Sequence, residues 1–209
     1  DDSMIFIYDA NTFEVKSSLK VDGVALSVAY SPDGTKLTAG LGYPSYSVVV
    51  FDTQTNEQIC SLKGHSKDNE ECTCKHDAGF FGNEYEANPD CPVRGHSASV
   101  NCVDFSPDGL TIASGSGSNF GNDNSVRVWD VKTGKQLWQL RGGGEAESVH
   151  WSPCGTKIAA ACNDDYTDNY CVKILNSETG ALLCSLKVDW RVFCLTYAPN
   201  GDILAVGDE

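Results

Sequence analysis

GHSASVNCVDFSPDG (residues 95–109), followed by SVRVWDVKTGKQLWQL (residues 125–140), is the stretch on which the fold turns. Its first part ends in Ser106-Pro107-Asp108-Gly109, the chemistry of a tight hairpin: Pro presets one φ and Gly supplies the other. A run of small apolar residues follows, LTIASG (110–115). The second part is β-branched, closes on Trp129-Asp130, turns, and ends in the segment Gln136–Arg141 (QLWQLR). This is the pattern of four short strands separated by turn residues. Helical 3.6-residue periodicity is absent, so the class read from it is all-β.

The unit recurs. Leu26–Gly34 (LSVAYSPDG), Asn101–Gly109 (NCVDFSPDG), Glu147–Gly155 (ESVHWSPCG) and Phe193–Gly201 (FCLTYAPNG) superimpose. Their turns start at 31, 106, 152 and 198, so the last two steps are 46 residues each and the first is 75. Third strands are expected at Ser47–Asp52, Ser125–Asp130 and Cys171–Asn176, and fourth strands at Gln58–Lys63, Gln136–Arg141 and Leu182–Lys187. Ser3–Asp9 and Glu14–Lys20, near the start, match third and fourth strands. Val192–Tyr197 and Ile203–Gly207, near the finish, match a first and a second strand. One repeat is thus split between the two ends. Those ends either pair with each other or are edges that neighbouring units cover, since an uncovered strand edge is a pairing hazard.

Residues 95–109 and 125–140, with the Gly95-His96 pair and Trp129-Asp130, resemble a WD repeat, and the resemblance extends over nearly the whole chain. It implies a β-propeller of about four four-stranded blades, closed alone, paired with a second copy, or part of a larger ring. Tyr8-Asp9, Phe51-Asp52 and Leu175-Asn176 stand where the family has Trp-Asp, and only His65 and His96 sit in Gly-His pairs. The family's hydrogen-bond network between that His, a strand Ser and the Trp is therefore expected only at His96, Ser114 and Trp129.

Gly64-His65-Ser66 and Gly95-His96-Ser97 repeat the same joint 31 residues apart, and removing 31 residues brings the 75-residue step down to 44. Residues 66–94 thus read as a loop inserted into a propeller segment spanning 1–209. Such long loops are usually functional or disordered. This one is acidic, with Phe80, Phe81 and Tyr85 at its centre, and holds Cys72, Cys74, His76 and Cys91. Four soft and borderline ligands suit a tetrahedral structural zinc. A disulfide from Cys91 to Cys72 or Cys74 and unlinked thiols are the alternatives. The other seven of the ten cysteines read as small apolar fillers, Cys60 with Cys184 and Cys102 with Cys194 falling at equivalent positions. Reduced thiols and the lack of any Asn-x-Ser/Thr sequon point to a cytoplasmic protein.

The chain has 29 acidic and 15 basic residues, formally −14, which argues against nucleic acid and anionic membrane as main partners. Its first residue is Asp rather than Met, compatible with a processed or partial product. No apolar run is long enough to span a bilayer and no leader is evident. No nucleophile–base signature occurs, so no catalytic residue is assigned. His150 reads as a packed or hydrogen-bonded strand residue, and Gly142–Gly144 as a turn.

The family resemblance places the loops 41–46, 117–124 and 163–170 on one face. They gather Tyr43, Tyr46, Phe120, Tyr166 and Tyr170 beside Asp123, Asp164, Asp165 and Asp168. Val24, Ser99, Glu145 and Arg191 align just before the first strands, where such propellers contact ligands, and Trp190 adjoins Arg191. Aromatics among carboxylates suit a basic or Arg-bearing peptide. The function expected is a protein-interaction scaffold; a structural segment of a larger assembly is the alternative, and an enzyme a more distant one.

Overall fold

The computed structural model describes residues 3–62, 95–117, 123–164, 167 and 169–209. These residues form sixteen β-strands and no helix. The inserted loop 66–94, with Cys72, Cys74, His76 and Cys91, lies outside the described residues, as do Phe120, Asp165, Tyr166 and Asp168.

The strands are β1 (Ser3–Tyr8), β2 (Val15–Val21), β3 (Ala25–Tyr30), β4 (Lys36–Leu41), β5 (Val48–Asp52), β6 (Gln58–Leu62), β7 (Val100–Phe105) and β8 (Thr111–Ser116). They continue as β9 (Ser125–Asp130), β10 (Gln136–Arg141), β11 (Glu145–Trp151), β12 (Lys157–Asp164), β13 (Asn169–Asn176), β14 (Leu182–Val188), β15 (Val192–Tyr197) and β16 (Leu204–Asp208). Three antiparallel sheets of four are formed by β3 to β6, β7 to β10 and β11 to β14, each strand pairing with its sequence neighbour. The split repeat gives two further sheets of two strands, β1 with β2 and β15 with β16. Those two sheets do not pair with each other, so the structure is an open arc of blades.

Turn chemistry sets the strand lengths. Ser31, Ser106 and Ser152 each accept, at Oγ, the backbone N–H of Lys36, Thr111 and Lys157, at 2.9, 3.0 and 3.0 Å. The Gly that closes each Ser-Pro or Ala-Pro turn has φ between 69° and 80°, a region that costs a side-chain-bearing residue energy. At the other hairpin, Asp9, Asp52, Asp130 and Asn176 accept turn N–H groups from residues two or three further on. The acidic or amide residue that ends each third strand is therefore a turn cap.

The sheets stack face to face. Because strand side chains alternate between faces, each central strand feeds two cores. Val48 and Val50 join the core toward β7 to β10, with Phe105, Ile112 and Trp129. Val49 and Phe51 join the core toward β1 and β2, with Ile5, Leu19 and Val21. Likewise Ala160 faces the core shared with Val126, Val128 and Trp151, whereas Ala159 and Ala161 face Val192 and Leu195. Being buried on both faces explains why second strands are runs of small and apolar residues.

First strands lie side by side, β3 beside β7, β7 beside β11 and β11 beside β15. They are stitched by side chains: Val103 N–H donates to Ser27 Oγ at 3.2 Å, and Leu195 N–H to Ser148 Oγ at 3.3 Å. At the equivalent position the middle sheet has Cys102, and Asp104 instead accepts the N–H of Trp151 at 2.9 Å. The proline turns also follow one another around the arc, Pro32 against Gly109, Pro107 against Gly155 and Pro153 against Gly201. Equivalent contacts repeated at each junction are what radial stacking about one axis requires.

One expectation is corrected. The seven cysteines outside the inserted loop are not uniformly fillers: Cys102, Cys162 and Cys171 are buried, but Cys154, Cys184 and Cys194 are exposed. Cys184 and Cys194 lie on the two sheets at one flank of the arc, where no further sheet of the described residues follows. That flank exposes Leu182, Leu186, Phe193 and Val206; the opposite one exposes Phe6, Tyr8, Leu26, Val28 and Tyr30.

Candidate functional site

The first strands start on one face, and the second strands end on that same face. Loop 41–46 is pinned there by Gly42 N–H donating to Val24 O (2.8 Å) and Val24 N–H donating to Tyr43 O (3.2 Å). Gly42 also lies against Ser99. Gly117 N–H donates to Ser99 O (3.2 Å), and Gly117 abuts Glu145. Glu145 Oε2 accepts from Arg191 Nη2 at 2.6 Å, and Glu147 accepts from the same nitrogen. Val24, Tyr43, Ser99, Glu145 and Arg191, taken from four successive sheets, therefore form a contiguous rim.

On this rim Tyr43 is 72% exposed and Trp190 is 59% exposed. Tyr46 is half-buried and meets Tyr43 edge to face, with ring centroids 6.1 Å apart. Tyr170 is half-buried on β13, with Val188 opposite it. The Arg191 guanidinium is engaged by both glutamates and lies 5.9 Å from the centre of the Phe193 ring. It therefore serves to brace the rim between β11 and β15.

Asp123 is a correction. It reads from sequence as an exposed carboxylate beside the loop aromatics, whereas it is buried at the centre of a polar network. It accepts from His96 Nδ1 (3.1 Å), Ser97 N–H (2.8 Å), Ser125 Oγ (2.5 Å) and Arg127 Nη2 (3.0 Å). On the other side of the imidazole, His96 Nε2 and Ser114 Oγ are 2.7 Å apart, and Trp129 Nε1 donates to Ser114 Oγ at 2.8 Å. The expected His96–Ser114–Trp129 chain is present and extends through Asp123 to Arg127. Burial lowers the His96 pKa and keeps the ring neutral. Burial alone would raise Asp123, but the His96 hydrogen bond and the Arg127 charge hold its carboxyl well below the usual range. The signal for this extension was an Asp and an Arg four apart, a pair that the equivalent positions Ser45/Val49 and Asn169/Lys173 lack.

On the first strands, His150 Nδ1 lies 3.5 Å from Asp104 Oδ2, the side chains 41% and 22% exposed. Burial raises the Asp104 pKa, against the Trp151 N–H and His150. His150 is thus a half-exposed strand histidine beside a carboxylate. Among the described residues no group of three or more His, Cys, Asp or Glu could hold a metal ion, and no helix is long and apolar enough to cross a membrane.

Comparisons with known proteins agree with this architecture. Residues 89–130 match the family described as WD domain, G-beta repeat, and residues 122–200 match the anaphase-promoting complex subunit 4 WD40 domain. The serine-threonine kinase receptor-associated protein of Gallus gallus is 28% identical over 151 residues, covering 66% of this chain and 41% of that protein. Cell division cycle 20.1, cofactor of APC complex, from Arabidopsis thaliana is 28% identical over 144 residues, covering 62% of this chain and 30% of its own. The chain thus spans less than half the length of these relatives. In shape it is similar to a chain of Kuenenia stuttgartiensis hydrazine synthase, with TM-score 0.73 and 19% identity, covering 97% of this chain and 49% of that one. At that identity the likeness concerns the fold alone.

Proposed function

Because the chain belongs to the WD-repeat family, we propose that it is a protein-interaction scaffold whose loop rim receives a basic, Arg-bearing peptide segment. The observation that carries the reading is the contiguous rim built from four sheets, with Tyr43 and Trp190 exposed upon it. A planar guanidinium stacks on such rings at low entropic cost. The formal charge of −14 draws a basic partner toward the surface. The reading is one of binding: the described residues of the rim offer donors, acceptors and rings to a partner. The two apolar flanks favour a second reading, in which the same blades also serve as packed segments of a larger assembly.

The test is titration of the chain with an Arg-rich peptide, followed by Trp fluorescence, alongside a Glu-substituted version of that peptide. Binding is expected only for the basic form, weaker at higher salt. Trp190→Ala and Tyr43→Ala should each weaken it by about tenfold, the scale of a single aromatic anchor. Equal binding of both peptides, or no effect of either substitution, contradicts the reading.

A further inference from the structure

Both flanks of the arc are half-covered, and the two halves are complementary. On one flank β1 and β2, a third and a fourth strand, pack on β4 and β5 and leave the first strand β3 bare. On the other, β15 and β16, a first and a second strand, pack on β12 and β13 and leave the fourth strand β14 bare. Equivalent residues inside the arc show what is missing. Val103 of β7 and Val149 of β11 are 6% and 2% exposed. The sheet before each covers it: Val103 shares a core with Val48 and Val50, and Val149 shares one with Cys102 and Ala113. Val28, at the same position of β3, is 52% exposed. Trp129 of β9 and Leu62 of β6 are 3% and 5% exposed in one core. Their counterparts on the flanks, Tyr8 of β1 and Leu186 of β14, are 58% and 48% exposed.

The free edges match as well. Among the described residues β1 pairs only with β2, and β16 only with β15. Edge strands left in water usually carry Lys, Pro or another guard. β1 (SMIFIY) has no charged residue, and β16 (LAVGD) has one, at its end. In the complete sheet β7 to β10, the second and third strands pair Ile112 with Trp129, Ala113 with Val128 and Ser114 with Arg127. The same register laid on the split repeat pairs Leu204 with Tyr8, Ala205 with Ile7 and Val206 with Phe6. All six side chains are uncharged, and Tyr8, Val206 and Phe6 are exposed. Cross-strand apolar pairs of this kind are what stabilise a sheet.

We propose that the partner of both flanks is a second copy of this chain. β15 and β16 of each copy join β1 and β2 of the other as the four strands of one shared sheet, and two arcs close into a ring. Three whole sheets from each copy and two shared ones make eight, within the range of closed propellers. The contact is head to tail, and a half-turn about the ring axis repeats it, so two copies satisfy every free edge. β3 of one copy then lies beside β15 of the other. Cys194 and Ala205 cover Val28 and Tyr30, as Cys102 and Ala113 cover Val149 and Trp151 within the arc. Tyr8 covers Leu186 as Trp129 covers Leu62. The occupant has to bring a first and second strand to one flank and a third and fourth strand to the other, each with a free edge in this register. This chain carries both. The inference concerns the flanks alone and stands apart from peptide binding at the rim.

Sedimentation equilibrium of the full chain at micromolar concentrations should give twice the chain mass of 22.5 kDa. Val28→Asp and Tyr8→Asp, both at exposed positions of the single chain, should keep the β-sheet circular dichroism. Each should raise the dimer dissociation constant by about a hundredfold, since the change enters two equivalent contacts. Ala113 and Val128 form a non-hydrogen-bonded pair, in which Cα atoms approach to about 4.5 Å, within reach of a disulfide. Ala205 and Ile7 take those places across the join. A chain carrying both Ala205→Cys and Ile7→Cys should therefore run as a covalent dimer without reductant, with peptide mapping joining the two positions; neither single variant should show that link. A mass of one chain at every concentration leaves the flanks to another polypeptide and overturns the proposal. Growth beyond two copies, the 7–205 link formed within one chain, or an undiminished dimer in Val28→Asp overturns it too.

Discussion

Arg127 is 1% exposed, and its guanidinium donates to both carboxylate oxygens of Asp123. Its Nε donates to Ser125 Oγ at 3.1 Å and its Nη1 to Gln136 Oε1 at 3.2 Å. Replacing Arg127 by Met leaves a carboxylate buried and uncompensated, and should cost about 3–5 kcal/mol in urea unfolding. Adding Asp123→Asn should cost less than the sum of the two single changes, because the stranded charge is gone. A cost additive within ~0.5 kcal/mol would mean the two groups are not coupled. The network also sets a pH dependence. His96 has its pKa lowered by burial, so below about 6.5 the unfolded chain binds a proton that the folded one refuses. Stability is therefore full above that value and falls as the pH drops below it, by up to about 1.4 kcal/mol per pH unit. The depressed Asp123 carboxyl contributes in the same direction lower down: its stabilisation is present above about 3.9 and is lost as the pH falls through its folded-state value. Urea midpoints measured from pH 8 to pH 4 should decline from near 6.5; a flat profile down to pH 5 would contradict a neutral, buried His96.

At the scale of elements, the turns were the most legible part of the sequence. Ser-Pro-x-Gly forces a hairpin by local chemistry alone, and the glycines at 34, 109, 155 and 201 all take the positive φ that the motif demands. The alternation that sends Val48 and Val50 one way and Val49 and Phe51 the other was equally readable, since a period of two needs no partner to be seen. What could not be read were pairings that cross repeats. Arg191 meets Glu145 and Glu147 from 46 and 44 residues away. Asp123 looks like a loop carboxylate until His96 is folded against it. The connection 142–144 offers a test of how tightly successive sheets close. Gly142 and Gly144 both have positive φ, at 74° and 84°. A Cβ at Gly142 would meet nothing within 4 Å, but one at Gly144 would come within 2.4 Å of the Asn163 backbone. Gly142→Asn should change stability by less than about 1 kcal/mol, because Asn tolerates this conformation. Gly144→Asn should cost more than ~2 kcal/mol, because backbone must move. Equal effects in thermal unfolding would show that the junction is looser than described.

The molecule as a whole is a series of sheets stacked radially, with first strands side by side. Such an arrangement makes second strands doubly protected: hydrogen-bonded on both edges and covered on both faces. Leu37–Leu41, Ile112–Ser116 and Ile158–Asn163 are buried throughout. Fourth strands, by contrast, are paired on one edge, as the half-buried and exposed pattern of β10 and β14 reflects. Residue-resolved amide hydrogen exchange on the full chain tests this most directly, because protection follows hydrogen bonding and burial together. Slow exchange should peak in β4, β8 and β12, remain high in β5, β9 and β13, and fall off in β6, β10 and β14. Protection spread evenly along each repeat, or strongest in the fourth strands, would contradict radial stacking.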